Sequence, residues 1–480
     1  MPYKFNELKM KNLVLVISIF LANISFGQEK CDCDVALNKL ISKIENEYPG
    51  FEEKTKDKVL YNSFKKQLTE EAKEAKQSSC FDVLEKYTDF FRDGHILWLH
   101  PKISKKSEKT QEKEFIKIDI EKFEKKFKNR NHKIEGIWKN EYEKMFGDIT
   151  YTIGITEATK NEYVGFVIKS GSKLWEPKEV KFRLFPDGTY EYYDKSHNLL
   201  KGKYTIHNET ILSFDNIKSF FVKEKTTDEN SLDKITELSG FSLKKLTDKT
   251  ILLALPSFDY VYVDIINRLI ENNKNLLESS PYLIVDVRNN GGGTDNAYLN
   301  LLPYIMTQSI RTLGVEFLST PTLINGLQGY IDGIKDDKSK EREITRIKRE
   351  IEILKKNEGK FVNIHDTEVD TMKVRIAEKS PQNVVVLANK NVGSSGEYFV
   401  MFTRQSKKVK IFGTPTYGGL DYASARVFDF GCSEYQLGLP TYRSLRLPDF
   451  PVDNIGLQPD IYMDKFIEDW VQYAVDYLEN

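Results

Sequence analysis

The sequence predicts an α/β fold: a C-terminal core preceded by an N-terminal helical region and an inserted small antiparallel β domain. Three observations predict it. Apolar residues recur at helical spacing over residues 34–92, and the period changes to two from about 134 to 222. From about residue 237, short apolar strands alternate with helices. A chain of 480 residues exceeds one ordinary core, and at about 150 residues per domain it divides into roughly three. Forty per cent hydrophobic and 30% charged residues exclude a disordered chain. Basic and acidic residues nearly cancel, 71 against 72, so neither nucleic acid nor an anionic membrane is expected as a partner.

Residues 1–27 read as a secretory signal. Lys9 and Lys11 precede the apolar run from Leu13 to Ala22, and the stretch ending at Gly27 leads into polar sequence. The run is short for a bilayer span, and no later run is long enough. The expectation is an exported, periplasmic or extracellular protein without stable membrane insertion. Cys31, Cys33, Cys80 and Cys432 fit one or two disulfides in such a chain, with the connectivity open. They lack paired CxxC spacing, so no metal or other cofactor is expected.

Residues 28–130 form the expected helical region. Val35, Leu37, Leu40, Ile41 and Ile44 make one apolar stripe; Phe81, Val83, Leu84, Tyr87, Phe90 and Phe91 make another. Pro49-Gly50 punctuates the first helix. From Lys102 to Lys128 both charge signs are interspersed, which reads as a solvated helix or linker. Residues 131–232 form the β domain, a barrel or sandwich. Val180–Phe185, Pro186-Asp187-Gly188 and Thr189–Tyr193 make a hairpin with a turn-forming link. The opening Gly136-Ile137-Trp138 is similar to the start of lipocalin-like barrels, and a scaffold or lid is the expected role.

Residues 233–480 form the core. Thr250–Leu255, Tyr282–Val287, Asn383–Ala388 and Val409–Gly413 read as strands buried on both faces, with helices over Phe258–Leu277 and Glu397–Thr403. The charged insert at about 336–359 carries Ile344, Ile347, Ile351 and Leu354 at helical spacing, and reads as an exposed amphipathic helix beside the site.

Two strand-to-helix junctions carry the chemistry. After the second core strand comes Asp286-Val-Arg-Asn-Asn-Gly-Gly-Gly293, whose glycines permit a sharp turn and can present N–H groups to a ligand or an oxyanion. It is neither a GxGxxG fingerprint nor a P-loop. After the third strand comes Asn389-Lys-Asn-Val-Gly-Ser-Ser-Gly-Glu397. Ser394 there sits near the positive end of a helix, where it reads as a nucleophile or as an ordinary helix cap.

These two motifs, followed by Gly413-Thr-Pro-Thr-Tyr-Gly418 and Gly456-Leu-Gln-Pro-Asp460, resemble the S41 peptidases, the C-terminal processing and tricorn core proteases. The resemblance spans roughly residues 235–465. It implies a crotonase/Clp-like core and an exported serine endopeptidase acting on polypeptides. By the same resemblance the nucleophile falls on Ser394, and the oxyanion donors on the N–H of Ser395 and of Gly292 or Gly293. Where the processing-protease branch has a lysine base, this chain has Gly419. The tricorn-like branch uses a histidine and a carboxylate, which match His95 in Arg92-Asp-Gly-His95 and Asp453, where Glu is usual. His100 is the fallback base; Glu397 and Asp449 are the alternative acids. No PDZ-like carboxylate loop is found, and the β domain occupies its interval. The competing reading is an inactive binding protein on the same fold.

Overall fold

The computed structural model describes residues 32–98, 113–128, 132–140, 150–171, 174–194, 197–215, 217–224, 229–337, 340–365, 367–429, 432 and 435–480. The signal expected at 1–27, Cys31 and His100 lie outside them.

In the N-terminal region, helices Cys33–Glu47, Lys58–Glu74 and Cys80–Asp89 bracket the short helix Phe51–Lys54. Their stripes meet in one cluster that includes Leu37, Leu40, Ile44, Tyr61, Leu84 and Phe91. Tyr422, Leu437 and Leu439 of the core belong to the same cluster. The helices therefore complete their burial on the core rather than among themselves. A Cys33–Cys80 disulfide joins the first and last of them across 47 residues, a loop whose closure stabilises by about 4 kcal/mol in chain-entropy terms. Cys432 is disulfide-bonded as well.

The period-two block closes into an eight-stranded antiparallel barrel running from Gly136–Lys139 to Ile217–Lys223. Pairing of Trp138 with Lys223 joins its first strand to its last. Alternate side chains, among them Trp138, Ile153, Phe182, Leu184, Leu212 and Phe221, fill the interior. The stretch read as a solvated helix or linker is different where it is described. Phe115 bridges to Glu179, and the helix Ile120–Phe127 packs Phe123 and Phe127 on Ile137 and Phe166 of the barrel. Two phenylalanines four residues apart share one helical face, and this outweighs the surrounding charge. This segment, expected with the N-terminal helices, thus sits on the barrel.

The core is a six-stranded sheet ordered Ser242–Lys245, Thr250–Ala254, Tyr282–Asp286, Asn383–Ala388, Val409–Gly413 and Ile461–Tyr462. The first strand is antiparallel and the rest are parallel. Helices cover one face of the sheet; the C-terminal helix Trp470–Glu479 covers the other, as parallel strands require. Tyr282–Asp286 and Asn383–Ala388 pair with Asp286 opposite Leu387. Their carboxyl ends, and so the two glycine-containing junctions, lie side by side, where open α/β sheets place ligands.

The charged insert is not one exposed helix. Glu341–Lys356 packs against a second helix, Pro321–Ile334, and both share a cluster with Ala423 and Tyr442. Its isoleucines find a partner helix whose sequence contains three glycines, Gly326, Gly329 and Gly333. Among the described residues no helix is long and apolar enough to cross a membrane.

Candidate active site

Asparagines lace the two junctions together. Asn290, fully buried, donates from Nδ2 to the Leu255 carbonyl at 2.9 Å and accepts the Gly393 N–H on its own carbonyl at 3.0 Å. Asn289 and Asn389 exchange side-chain and backbone hydrogen bonds at 3.0 Å. The approach is close: a Cβ on Gly292 would stand 2.6 Å from the Gly393 carbonyl oxygen and 2.8 Å from the Ser394 Cβ. Only glycine fits there, and its φ of 98° is also one that glycine favours.

Ser394 caps the helix Ser395–Thr403 with φ 51° and ψ −122°, a sparsely populated conformation for a residue with a Cβ and one found at functional turns. Glu397, one turn on and fully buried, explains how the turn is held. Its carboxylate accepts the Ser394 N–H at 3.2 Å, the Thr416 hydroxyl at 2.6 Å, and the Gly418 and Gly419 N–H groups at 2.8 and 3.0 Å. Burial still pushes this carboxyl above its usual range. Its oxygens are committed to the loop 416–419, so Glu397 organises the site and does not orient the histidine.

His95 comes from the other side of the seam. Its loop follows the helix Cys80–Asp89 and leads into Leu97–Trp98, which pairs antiparallel with the core strand Gln436–Leu439. Asp93 shapes the loop, accepting the His95 N–H at 2.8 Å and the Tyr48 hydroxyl at 2.6 Å. Asn454 Nδ2 donates to the Arg92 carbonyl at 3.0 Å. The imidazole Nε2 then stands 3.4 Å from Ser394 Oγ, a long hydrogen bond. A Cβ on Gly419 would lie 3.8 Å from His95 Cε1. Gly419 therefore opens onto the imidazole.

Burial lowers the His95 pKa, opposed by the charges of Asp453 and Glu397. Nδ1 is buried without a well-aligned hydrogen bond, and the Tyr422 backbone also acts on the ring. Asp453 is near enough to be felt but does not bond to the ring. Its Oδ1 accepts the Asp421 N–H at 2.9 Å and its Oδ2 pairs with Lys54 Nζ at 3.2 Å. Burial, and then the neighbouring Asp93, push Asp453 up to about 6. Asp449 is exposed. Of the expected oxyanion donors, Gly292 N–H is spent on Asn290 Oδ1 at 2.9 Å. The N–H groups of Ser395 and Gly293 are left for that role. Of the other described histidines, His132, His197 and His207 bond within the barrel segment, and His365 lies beside Phe317.

Lys54, Asp93 and Asp421 were not found from sequence. Asp93 precedes His95 by two and was readable as its loop's organiser; a lone lysine in a charged helix carried no signal.

The family model of peptidase family S41 matches residues 249–463. No curated protein sequence matches the chain. Among solved structures, mature CPAF is similar with 10% identity and a TM-score of 0.46, over 93% of this chain and 95% of that one. The photosystem II D1 C-terminal processing protease has 12% identity and a TM-score of 0.36, over 93% and 97%. The tricorn protease has 13% identity and a TM-score of 0.41, over 93% of this chain and 36% of that one.

Proposed function

We propose, on the premise that residues 249–463 belong to peptidase family S41, that this serine peptidase is an exported endopeptidase using Ser394, His95 and Asp453. The carrying observation is the 3.4 Å approach of His95 Nε2 to Ser394 Oγ, across 299 residues of sequence, at a serine held in a strained turn. In this reading Oγ attacks the scissile carbonyl while Nε2 takes its proton, and later returns it to the leaving amine. The N–H groups of Ser395 and Gly293 would receive the oxyanion. Asp453 would stabilise the imidazolium through space, since its oxygens are bonded elsewhere. The Cys33–Cys80 disulfide supports export, because disulfides persist in oxidising compartments.

A histidine with a lowered pKa is the free base over a wider range. Activity should therefore rise with pH through a value below the ordinary ~6.5 of histidine and stay level above it. An Asp453 whose oxygens are bonded away from the ring favours the second reading, an inactive binder, and labelling separates the two. A fluorophosphonate probe should modify the wild-type protein at Ser394 and leave Ser394→Ala unlabelled. A folded wild-type protein that takes up no probe would favour the binder.

A further inference from the structure

The carboxylate of Asp453 is held from both sides of the seam. The core contributes the Asp421 N–H to Oδ1, and the helical region contributes Lys54 Nζ to Oδ2 at 3.2 Å. Lys54 ends the short helix Phe51–Lys54. The pair is not on the rim, with side chains 15% and 5% exposed. Lys54 Nζ also lies 5.5 Å from the ring centroid of Tyr422, a residue of the same packed cluster as the helices.

We propose that Lys54 is a positioning residue, whose ammonium keeps Asp453 charged and in place for His95, so that docking of the helical region completes both the base and its carboxylate. The inference rests on the reading of Asp453 as the acid.

The surroundings give the reason. Asp453 shares its pocket with Asp93 and Asp421, and with the phenols of Tyr48, Tyr417 and Tyr422. His95 faces it from the loop after the third long helix, and Glu397 acts on the same imidazole. Arg446 is already paired with Asp421 at 3.2 Å and donates to the Leu420 and Phe450 carbonyls. Asp93 has the Tyr48 hydroxyl and the His95 N–H but no ion pair among the described residues, although the Lys54 charge reaches it too. Lys54 is thus the cation that answers Asp453. Without it, three buried carboxylates would crowd one site, and a shared site of this kind takes up a proton. A protonated Asp453 cannot stabilise an imidazolium. The sign follows: Lys54 lowers the Asp453 pKa, so its removal moves the acid limb of activity toward higher pH.

The test measures kcat and KM against pH, from about 5 to about 9 around the histidine range, for wild type, Lys54→Met, Lys54→Arg and Asp453→Asn, with Tm recorded for each. Lys54→Met should lower kcat at neutral pH by roughly tenfold, the acid limb rising by about one pH unit, with KM little changed. Turnover should recover at alkaline pH, and Lys54→Arg should restore most of it at neutral pH. An acid limb that stays where wild type has it overturns the proposal, whatever happens to Tm, because a mere strut would cost stability without moving a titration. Asp453→Asn separates the two levels. If that variant turns over like wild type, the acid reading fails; if it is crippled while Lys54→Met keeps the wild-type limb, the role of Lys54 alone fails.

Discussion

After Asp286 the chain turns through three glycines, two of them at positive φ, 98° at Gly292 and 140° at Gly293. After Ala388, on the neighbouring parallel strand, the equivalent turn puts a serine at φ 51°. Both turns leave the carboxyl end of a buried strand and lead into helical structure, the 3₁₀ turn Asp295–Tyr298 in one case and Ser395–Thr403 in the other. The first avoids strain by discarding side chains and offers only backbone; the second keeps a side chain at the cost of strain, as the proposed nucleophile would require. Close approach forces the division of roles. With the Gly292 Cα facing Gly393 and Ser394, two side chains cannot occupy the gap, so one turn supplies amides and the other a hydroxyl.

Three substitutions would break or sharpen that comparison. The largest effect is expected at His95, which the serine turn needs and the glycine turn does not. His95→Ala should lower kcat/KM by about 10⁴ or more, as for groups that act as a unit. A residual activity within tenfold of wild type would mean that the serine turn has another base.

Next is Gly292→Ala. The new methyl would press on the Gly393 carbonyl, Ser394 Cβ and Ser395 N–H, and displacing a nucleophile by about 1 Å can cost some hundredfold. Gly291→Ala is the control, since a Cβ there meets nothing within 4 Å, and it should turn over like wild type. Equal losses in both would show that the junction tolerates no side chain for reasons other than contact with Ser394.

The smallest effect is on stability. Ser394→Gly should abolish turnover, yet raise unfolding stability by about 1 kcal/mol, because glycine takes φ 51° without the strain a Cβ brings. Chemical denaturation beside an activity assay reads both. A destabilised glycine variant would place the serine turn among ordinary caps, whose replacement by glycine costs a few tenths of a kcal/mol.

The barrel and the four central strands were legible because their signals are local. Period two over residues 180–193 reports one buried and one open face, and runs such as Val384–Leu387 report burial on both. The motifs at 286–293 and 393–397 announced themselves for the same reason: tight turns demand glycine in place. The helical insert was half legible, since Pro321–Ile334 finds its partner helix only in space.

What the sequence determined by itself was the inventory: a serine at a strand-to-helix turn, a glycine turn, a histidine in an Asp-Gly-His motif, and strands buried on both faces. Tertiary structure alone decided the assembly. His95 reaches Ser394 only because the helices bury their stripes on Tyr422 and Leu437. Asn290 Oδ1 takes the Gly292 N–H within the glycine turn. Lys54 meets Asp453 across 399 residues. Spacing along a chain encodes which face of an element is apolar, but a hydrogen bond or ion pair across a seam depends on how two such faces dock. That docking is set by the summed packing of many side chains, and no short motif records it.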